Sequence, residues 1–257
     1  MRKFCFLSVF LLIFFIYSAT GFAFTPNKPE YQLLLSLVVG YANNKDMNNW
    51  AKEAEDYINW LYSGGRLESN LSKANIPVGF DIDFRYFFDD IGLGLQIGYH
   101  LTKAEGSPQL SGNFPAPFSR YGTFKVTDTE ELIVVPVVAT LYYRIDLESE
   151  NSFVLLGGGI GYYFGTYNSC WTESFNGITI NEYKLDGFKQ SKIGFHALVE
   201  YDYVFGSGLT LFGGIKYRYV QFDELKKGGR TVQNVDGGKL KAGLTGVAAY
   251  IGLGYSF

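Results

Sequence analysis

The chain has 257 residues, a formal net charge of −3, 18% aromatic residues and 31 glycines. The near-neutral balance, with no basic domain, implies no nucleic-acid partner. So many Tyr, Phe and Gly residues suit the aromatic girdles and tight interior of a small barrel better than a soluble domain. Met1-Arg2-Lys3 precedes an apolar run from Phe4 to Tyr17, followed by the small residues Ser18, Ala19, Gly21 and Ala23. That order reads as a signal peptide over 1–23, cleaved on export, with 24–257 as the mature domain. The other reading, an N-terminal membrane anchor, is disfavoured by the small residues. Cys5 stands too near the start for a lipoprotein cysteine. Cys170 is then the one cysteine kept, which excludes an intramolecular disulfide. No later stretch approaches the roughly 18 apolar residues of a spanning helix.

Period-2 alternation predicts eight strands, each with one apolar and one polar or small face. The first runs from Tyr31 through Leu33, Leu35, Leu37 and Val39 to Tyr41. A long loop follows, in which 47–62 has helical spacing: Trp50, Ala54, Tyr57, Ile58 and Leu61 share a face, with Asp46 and Gly64 as caps. The helix either packs on a barrel rim or offers its face to the outer leaflet or a partner. The second strand carries Ile76, Val78, Phe80, Ile82, Phe84 and Tyr86 on one side and Gly79, Asp81, Asp83 and Arg85 on the other. Past a turn at Phe88–Asp90, the third has Ile91, Leu93, Leu95, Ile97, Tyr99 and Leu101 opposite glycines, Gln96 and His100. A Pro-, Gly- and Ser-rich loop leads to a fourth strand at about 131–146, where Pro136 calls for a bulge because it cannot donate to the ladder. The fifth covers 152–166 and is followed by a long loop, 167–187, holding Cys170 as either an inert or an intermolecular thiol. The sixth points Ile193, Phe195, Ala197, Val199 and Tyr201 outward, and Lys192, His196, Glu200 and Asp202 inward. A hairpin at Gly206–Gly208 gives the seventh, with Lys216 and Arg218 inward.

The eighth strand ends the sequence with Val247, Ala249, Ile251, Leu253, Tyr255 and Phe257 on one face. Short and long connections alternate along the chain, as in barrels with short periplasmic turns and long extracellular loops. The ending from Gly246 to Phe257, the strand Ile215–Tyr219, and Val134-Val-Pro-Val-Val138 running into Leu141-Tyr-Tyr resemble the small eight-stranded outer-membrane barrels of the OmpA, OmpW, OmpX and opacity-protein type. The resemblance implies an all-β, eight-stranded antiparallel transmembrane β-barrel in a bacterial outer membrane, with a short helix in its first extracellular loop. It also implies that Leu253, Tyr255 and Phe257 form a signal for the outer-membrane barrel-assembly machinery.

The inward charges balance: Asp81, Asp83, Glu200 and Asp202 against Arg85, Arg144, Lys216 and Arg218. An interior of this size is just wide enough for side chains, and shielded charges must pair. With the sixth and seventh strands paired, Glu200 falls near Lys216, and His196 near Arg218. These nine residues are expected to plug the lumen as an ion-pair network. Two histidines and scattered carboxylates make no zinc site, and nothing forms a phosphate loop or a nucleophile elbow. No cofactor and no enzyme activity are expected. The reading is a structural or surface-interaction protein, displaying loops for adhesion or envelope integrity. The alternative is a narrow channel for small or hydrophobic solutes, as an OmpW-like barrel would be. Its partners are outer-membrane lipid and lipopolysaccharide, and a host or envelope ligand at the loops; Lys226, Lys227, Arg230, Lys239 and Lys241 either meet lipopolysaccharide phosphates or, the plainer reading, belong to a solvated loop.

Overall fold

The computed structural model describes residues 30–61, 66–68, 71–114, 121–147 and 151–257. The signal segment 1–23, Gly64, and 148–150 of the second turn lie outside the described residues. Eight long strands make the wall: β1 (Tyr31–Ala42), β2 (Val78–Phe88), β3 (Ile91–Gly106), β4 (Tyr121–Asp146), β5 (Ser152–Phe175), β6 (Ile178–Val204), β7 (Leu209–Tyr219) and β8 (Gly246–Ser256). Each pairs antiparallel with its neighbours in sequence. β1 then pairs β8, with Leu35 opposite Leu253 and Tyr41 opposite Val247. The ring is therefore closed, which removes the free edges that make open sheets aggregate. At the short-turn end, the N–H groups of Tyr31 and Phe257 each donate to the other's carbonyl, both at 2.9 Å.

The wall is inverted relative to a water-soluble fold. Leu37, Ile193 and Ile251 on the outer face are 67%, 61% and 61% exposed. Asp81, Arg85, Glu200 and Asp202 on the inner face are buried. Such a surface is stable only against hydrocarbon. Ten residue steps of about 3.3 Å separate Tyr31 from Tyr41, and a strand tilt of about 40° projects them onto about 25 Å, the height of a transmembrane apolar band. One rim of the band is aromatic: Tyr31 lies 4.9 Å from Tyr86 and 5.7 Å from Phe257, between ring centroids. The band ends near Leu101, Ile133, Phe164 and Ile193. Beyond it, outward positions become polar: Lys103, Lys125, Glu131, Asn168, Lys189 and Ser191. The strands β3 to β6 thus continue above the membrane as a head.

That head differs from the expected loops. β4 starts at Tyr121, ten residues before the expected boundary, and Gln109–Asn113 pairs with its first turns. The segment 167–187 is not a loop. It is the upper half of a β5–β6 ribbon, reversed at Asn176-Gly177 with φ of 52° and 80°. Two successive residues with positive φ match the right-handed twist of a hairpin. Bulges occur in this ribbon, between Tyr167 and Ser169 and between Glu173 and Ser174. None occurs at Pro136. That residue faces inward, its register with β5 is unbroken, and on the β3 side the ladder merely skips Gly98 and Tyr99 before resuming in register. A single missing donor is accommodated by leaving two pairs open.

The helix α1 (Lys45–Leu61) is seated in the mouth of the barrel. Its buried row is Met47, Ala51, Ala54 and Ile58, one residue round from the expected face, so Trp50 and Tyr57 lie at its flank. Packing of this kind is the rim-packing reading rather than the leaflet one. A Cβ on Gly106 of β3 would overlap the Ala51 carbonyl oxygen, so the helix backbone lies directly on the wall. Asp46 does not cap the helix: its Oδ2 accepts from Lys241 N–H at 2.9 Å. Asn44, just before the helix, donates to Ala74 O and accepts from Gly243 N–H, both at 2.8 Å, and so ties three segments together. Phe222, Leu225, Val232 and Leu240 from 220–245 join Met47 and Ala51 in one apolar cluster. The fourth long connection is therefore folded over the mouth as well.

Candidate functional site

Alternation along β2, β4, β6 and β7 puts Asp81, Asp83, Arg85, Arg144, His196, Glu200, Asp202, Lys216 and Arg218 in the lumen, all buried. They divide by depth. In the lower half, Arg85 Nε donates to Asp83 Oδ2 at 2.8 Å, and its Nη2 to Glu200 Oε2 at 3.0 Å. Its Nη1 meets the other Glu200 oxygen and lies 3.7 Å from Asp202. The guanidinium also stacks 4.6 Å from the Tyr142 ring centroid, and Tyr142 Oη donates to Asp83 at 2.7 Å. Gln32 Nε2 reaches Asp202 Oδ2 at 3.3 Å. This fork-to-carboxylate geometry is the strongest a side-chain ion pair offers.

In the upper half the signs reverse. Asp81 accepts from Arg218 Nη2 at 3.0 Å and lies 3.5 Å from Lys216 Nζ and 2.8 Å from His100 Nε2. Lys216 donates to Gln96 Oε1 at 2.9 Å and rides 5.1 Å above the Tyr250 ring. His196 stands opposite Arg218 in the ladder and bonds Thr140 at 3.1 Å. Glu200 is opposite Gly214, two pairs from Lys216, yet its bonds cross the lumen to Arg85. Cross-strand spacing identifies neighbours in the wall and says nothing about the residue diametrically opposite. Arg144 stands apart at the lower rim, donating to Asp89 O at 2.6 Å.

Rings fill the space between. A Cβ on Gly92 would enter the Phe87 ring, and one on Gly252 the Phe212 ring. Below the charges, Phe87, Tyr142, Phe153, Leu155, Leu198 and Val204 form an apolar floor. Leu253 and Phe257 are exposed on the outer wall. Tyr255 shares their parity but is only 6% exposed. Its ring lies against the turn glycine Gly208, whose φ is 82°.

Above the band, α1, the β5–β6 ribbon and 230–233 border a cleft of about 800 Å³ that opens to solvent. Trp50, Tyr57, Trp60, Trp171 and Tyr183 line it. Tyr57 meets Trp171 edge-on at 5.5 Å between centroids. Trp50 Nε1 donates to Gln233 O at 3.1 Å, joining helix to loop. Glu173 is engaged by Trp171 Nε1 at 3.0 Å and Asn181 Nδ2 at 2.8 Å. Beneath these rings, Asp128 and Glu130 of β4 are buried side by side. Burial pushes both carboxyls well above the usual range, and each is raised further by an acidic neighbour, Glu53 for Asp128 and Asp128 for Glu130. Tyr167 Oη donates to Glu130. Burial also raises Glu53, with help from Asp56. Among the described residues, no group of three or more His, Cys, Asp or Glu is spaced to hold a metal ion. On the outer lip, Lys226 and Lys239 both bond Glu224, and these bonds hold its carboxyl down at about 2. The basic rim expected from the sequence is thus partly neutralised. Cys170 is half-buried on the ribbon, 3.7 Å from Thr172 Oγ1.

A closed ring of eight antiparallel strands, an apolar outer band and a charged, filled interior define a small transmembrane β-barrel of the outer-membrane type. No family model matches the sequence, and no curated protein matches it. Solved structures similar to the chain include Neisserial surface protein A (13% identity, 89% of this chain and 97% of that one, TM-score 0.38). The outer membrane protein OprG from Pseudomonas aeruginosa is similar over 91% of this chain and 99% of its own, at 11% identity and TM-score 0.48. Ail, the attachment invasion locus protein of Yersinia pestis, is similar over 89% and 99%, at 14% identity and TM-score 0.36.

Proposed function

We propose that the chain is an outer-membrane protein of a two-membrane bacterial envelope, exported with loss of residues 1–23, whose plugged barrel is a rigid mount for a structured extracellular head. Its role is surface contact, in adhesion or envelope integrity, rather than passage of solutes. One observation carries this reading: the lumen is occupied along its length. The apolar floor, the Arg85 and Asp81 ion-pair clusters and the Met47–Ala51 face of α1 succeed one another from bottom to top. A solute would have to break buried charge pairs, each costing several kcal/mol of desolvation, at about two levels. Leu253, Tyr255 and Phe257 serve as the assembly signal, and lipopolysaccharide meets the basic lip through Lys227, Arg230 and Lys241.

Planar-bilayer recording of the refolded protein tests the plug. The expected trace shows no sustained conductance at 1 M salt. Large, long-lived openings would overturn the reading and favour the narrow-channel alternative. Deleting Phe257 is expected to lower the yield of folded protein in the outer membrane while leaving refolding in detergent intact.

A further inference from the structure

The cavity in the head combines two features, an aromatic wall and an acidic lining. Its upper wall is aromatic, and Trp50, Trp60 and Trp171 are all the tryptophans the chain has. Its lining also carries four carboxylates, Glu53, Asp56, Asp128 and Glu173, against one guanidinium, Arg230 at the exposed lip. Glu173 is satisfied by its neighbours. Asp128 is satisfied only in part: the residue is 1% exposed and shares a hydrogen bond with Glu130, but its Oδ2, at the cavity wall, has no hydrogen-bond partner among the described residues. Glu53 Oε2 and Glu130 Oε1 are likewise buried without a partner. Buried acceptors of this kind cost stability until a donor or a positive charge meets them. The carboxylates are not clustered as metal ligands, so the charge that suits them is diffuse and large. Aromatic faces beside carboxylates form the environment that attracts alkylated ammonium groups, through the ring quadrupole and through Coulomb attraction. The volume lies within the usual range of small-molecule sites.

We propose that this cavity binds an organic cation, a quaternary or other alkylated ammonium group, with its alkyl substituents against Trp50, Tyr57 and Trp171 and its charge toward Asp128 and Glu53. The site lies above the membrane band and does not depend on whether the lumen conducts, so its failure and that of the surface-protein reading are separable.

The test is tryptophan emission of the refolded protein in a non-ionic maltoside detergent, since every tryptophan reports on this one cavity. Choline and tetramethylammonium are titrated beside 3,3-dimethylbutan-1-ol, which has the shape of choline without its charge. The expected result is a saturable change with the cations and at least about tenfold weaker binding of the alcohol. Phosphocholine is the arm that identifies the source. Binding equal to choline assigns the site to a lipid or polysaccharide head group, and loss of binding assigns it to a free cation, because the phosphate is repelled by Asp56 and Glu173. Asp128→Asn and Glu53→Gln are each expected to weaken choline about tenfold. Glu53 is on a half-exposed helix face, so its variant keeps the test informative if Asp128→Asn fails to fold. Equal affinity for choline and the alcohol, or unchanged choline affinity in folded Glu53→Gln, Asp128→Asn protein, overturns the proposal.

Discussion

Arg85 is the residue on which the lower lumen depends. Its guanidinium faces three carboxylates, Asp83 at 2.8 Å, Glu200 at 3.0 Å and Asp202 at 3.7 Å, and two rings, Tyr142 at 4.6 Å and Phe212 at 5.7 Å. Arg85→Met fills most of the same volume and removes the charge. Three acids then confront one another in a space closed to bulk water. Breaking a buried pair from one side costs about 3–5 kcal/mol, because the remaining charge is uncompensated. Glu200→Gln leaves Arg85 two carboxylates and is expected to cost less, about 1–3 kcal/mol. The double variant removes one charge of each sign, so its loss is expected to fall short of the sum of the singles by about 2 kcal/mol, within the range measured for residues in one network. Urea unfolding in lipid vesicles, followed by tryptophan emission and by gel mobility, measures all three. Loss below about 1 kcal/mol for Arg85→Met, or single effects that add to within about 0.5 kcal/mol, would refute a network held by this arginine.

Three further outcomes concern the head. Gly106→Leu places side-chain atoms where the Ala51 carbonyl lies; it is expected to cost about 1–3 kcal/mol and to raise hydrogen exchange across Lys45–Leu61 while the band strands stay protected. Gly177→Val forces a branched residue to φ 80°. The cost is about 1–2 kcal/mol and is confined to the ribbon, so exchange rises at 166–189 and bilayer-segment stability is unchanged. The buried Asp128 carboxyl is pushed up to about 7. Its surroundings are Glu130 on β4, Glu53 on α1, Tyr167 and Ser169 on β5, and Arg230 across the cavity. A folded-state value above the unfolded one means the folded head binds the extra proton. Its stability is then full below about pH 4 and falls as pH rises toward 7. Limited proteolysis of α1 at pH 5 and pH 8 is expected to show faster cleavage at pH 8, with the difference abolished by Asp128→Asn; equal rates in the wild type would contradict the buried acid.

The barrel was legible because lipid and lumen demand opposite chemistry. Within the band, each step along a strand switches between a residue that must be apolar and one that must be small or polar. Ile82-Asp83-Phe84-Arg85 has no other reading. The head was not legible for the same reason inverted. Above Ile133 and Phe164 both faces of the wall meet polar surroundings or the mixed interior of the mouth, so the alternation fades and 167–187 looks like a loop. The signal that survives there is local: Asn176-Gly177, the dipeptide a tight hairpin requires, which stands midway in that stretch. The helix misled through size. Its bulkiest apolar residues, Trp50 and Tyr57, suggest the inward face, but the helix backbone lies so close to the wall at Gly106 that the row Met47, Ala51, Ala54 and Ile58 packs there, and the large rings are displaced to the flank.

That displacement connects the fold to its surface chemistry. A helix that packs through alanines onto Gly106 must carry its aromatic residues elsewhere. The ribbon that sequence alternation misses is what stands beside them, bringing Trp171 and Tyr183 to Tyr57. Asp128 and Glu130 lie on the inward parity of β4, continuous with the lumenal charges Arg144 and, across the barrel, Asp81. Within the band each lumenal acid meets an arginine or lysine, Asp83 on its own strand and Asp81, Glu200 and Asp202 across strands, because little water is available there to solvate it. One turn higher the same inward row emerges beneath a cavity open to solvent, and the pressure to pair internally is relieved. Acids without a protein cation are tolerated at that level because burial raises Asp128 and Glu130 and the two share a hydrogen bond, so a proton stands where the membrane band uses an arginine or lysine.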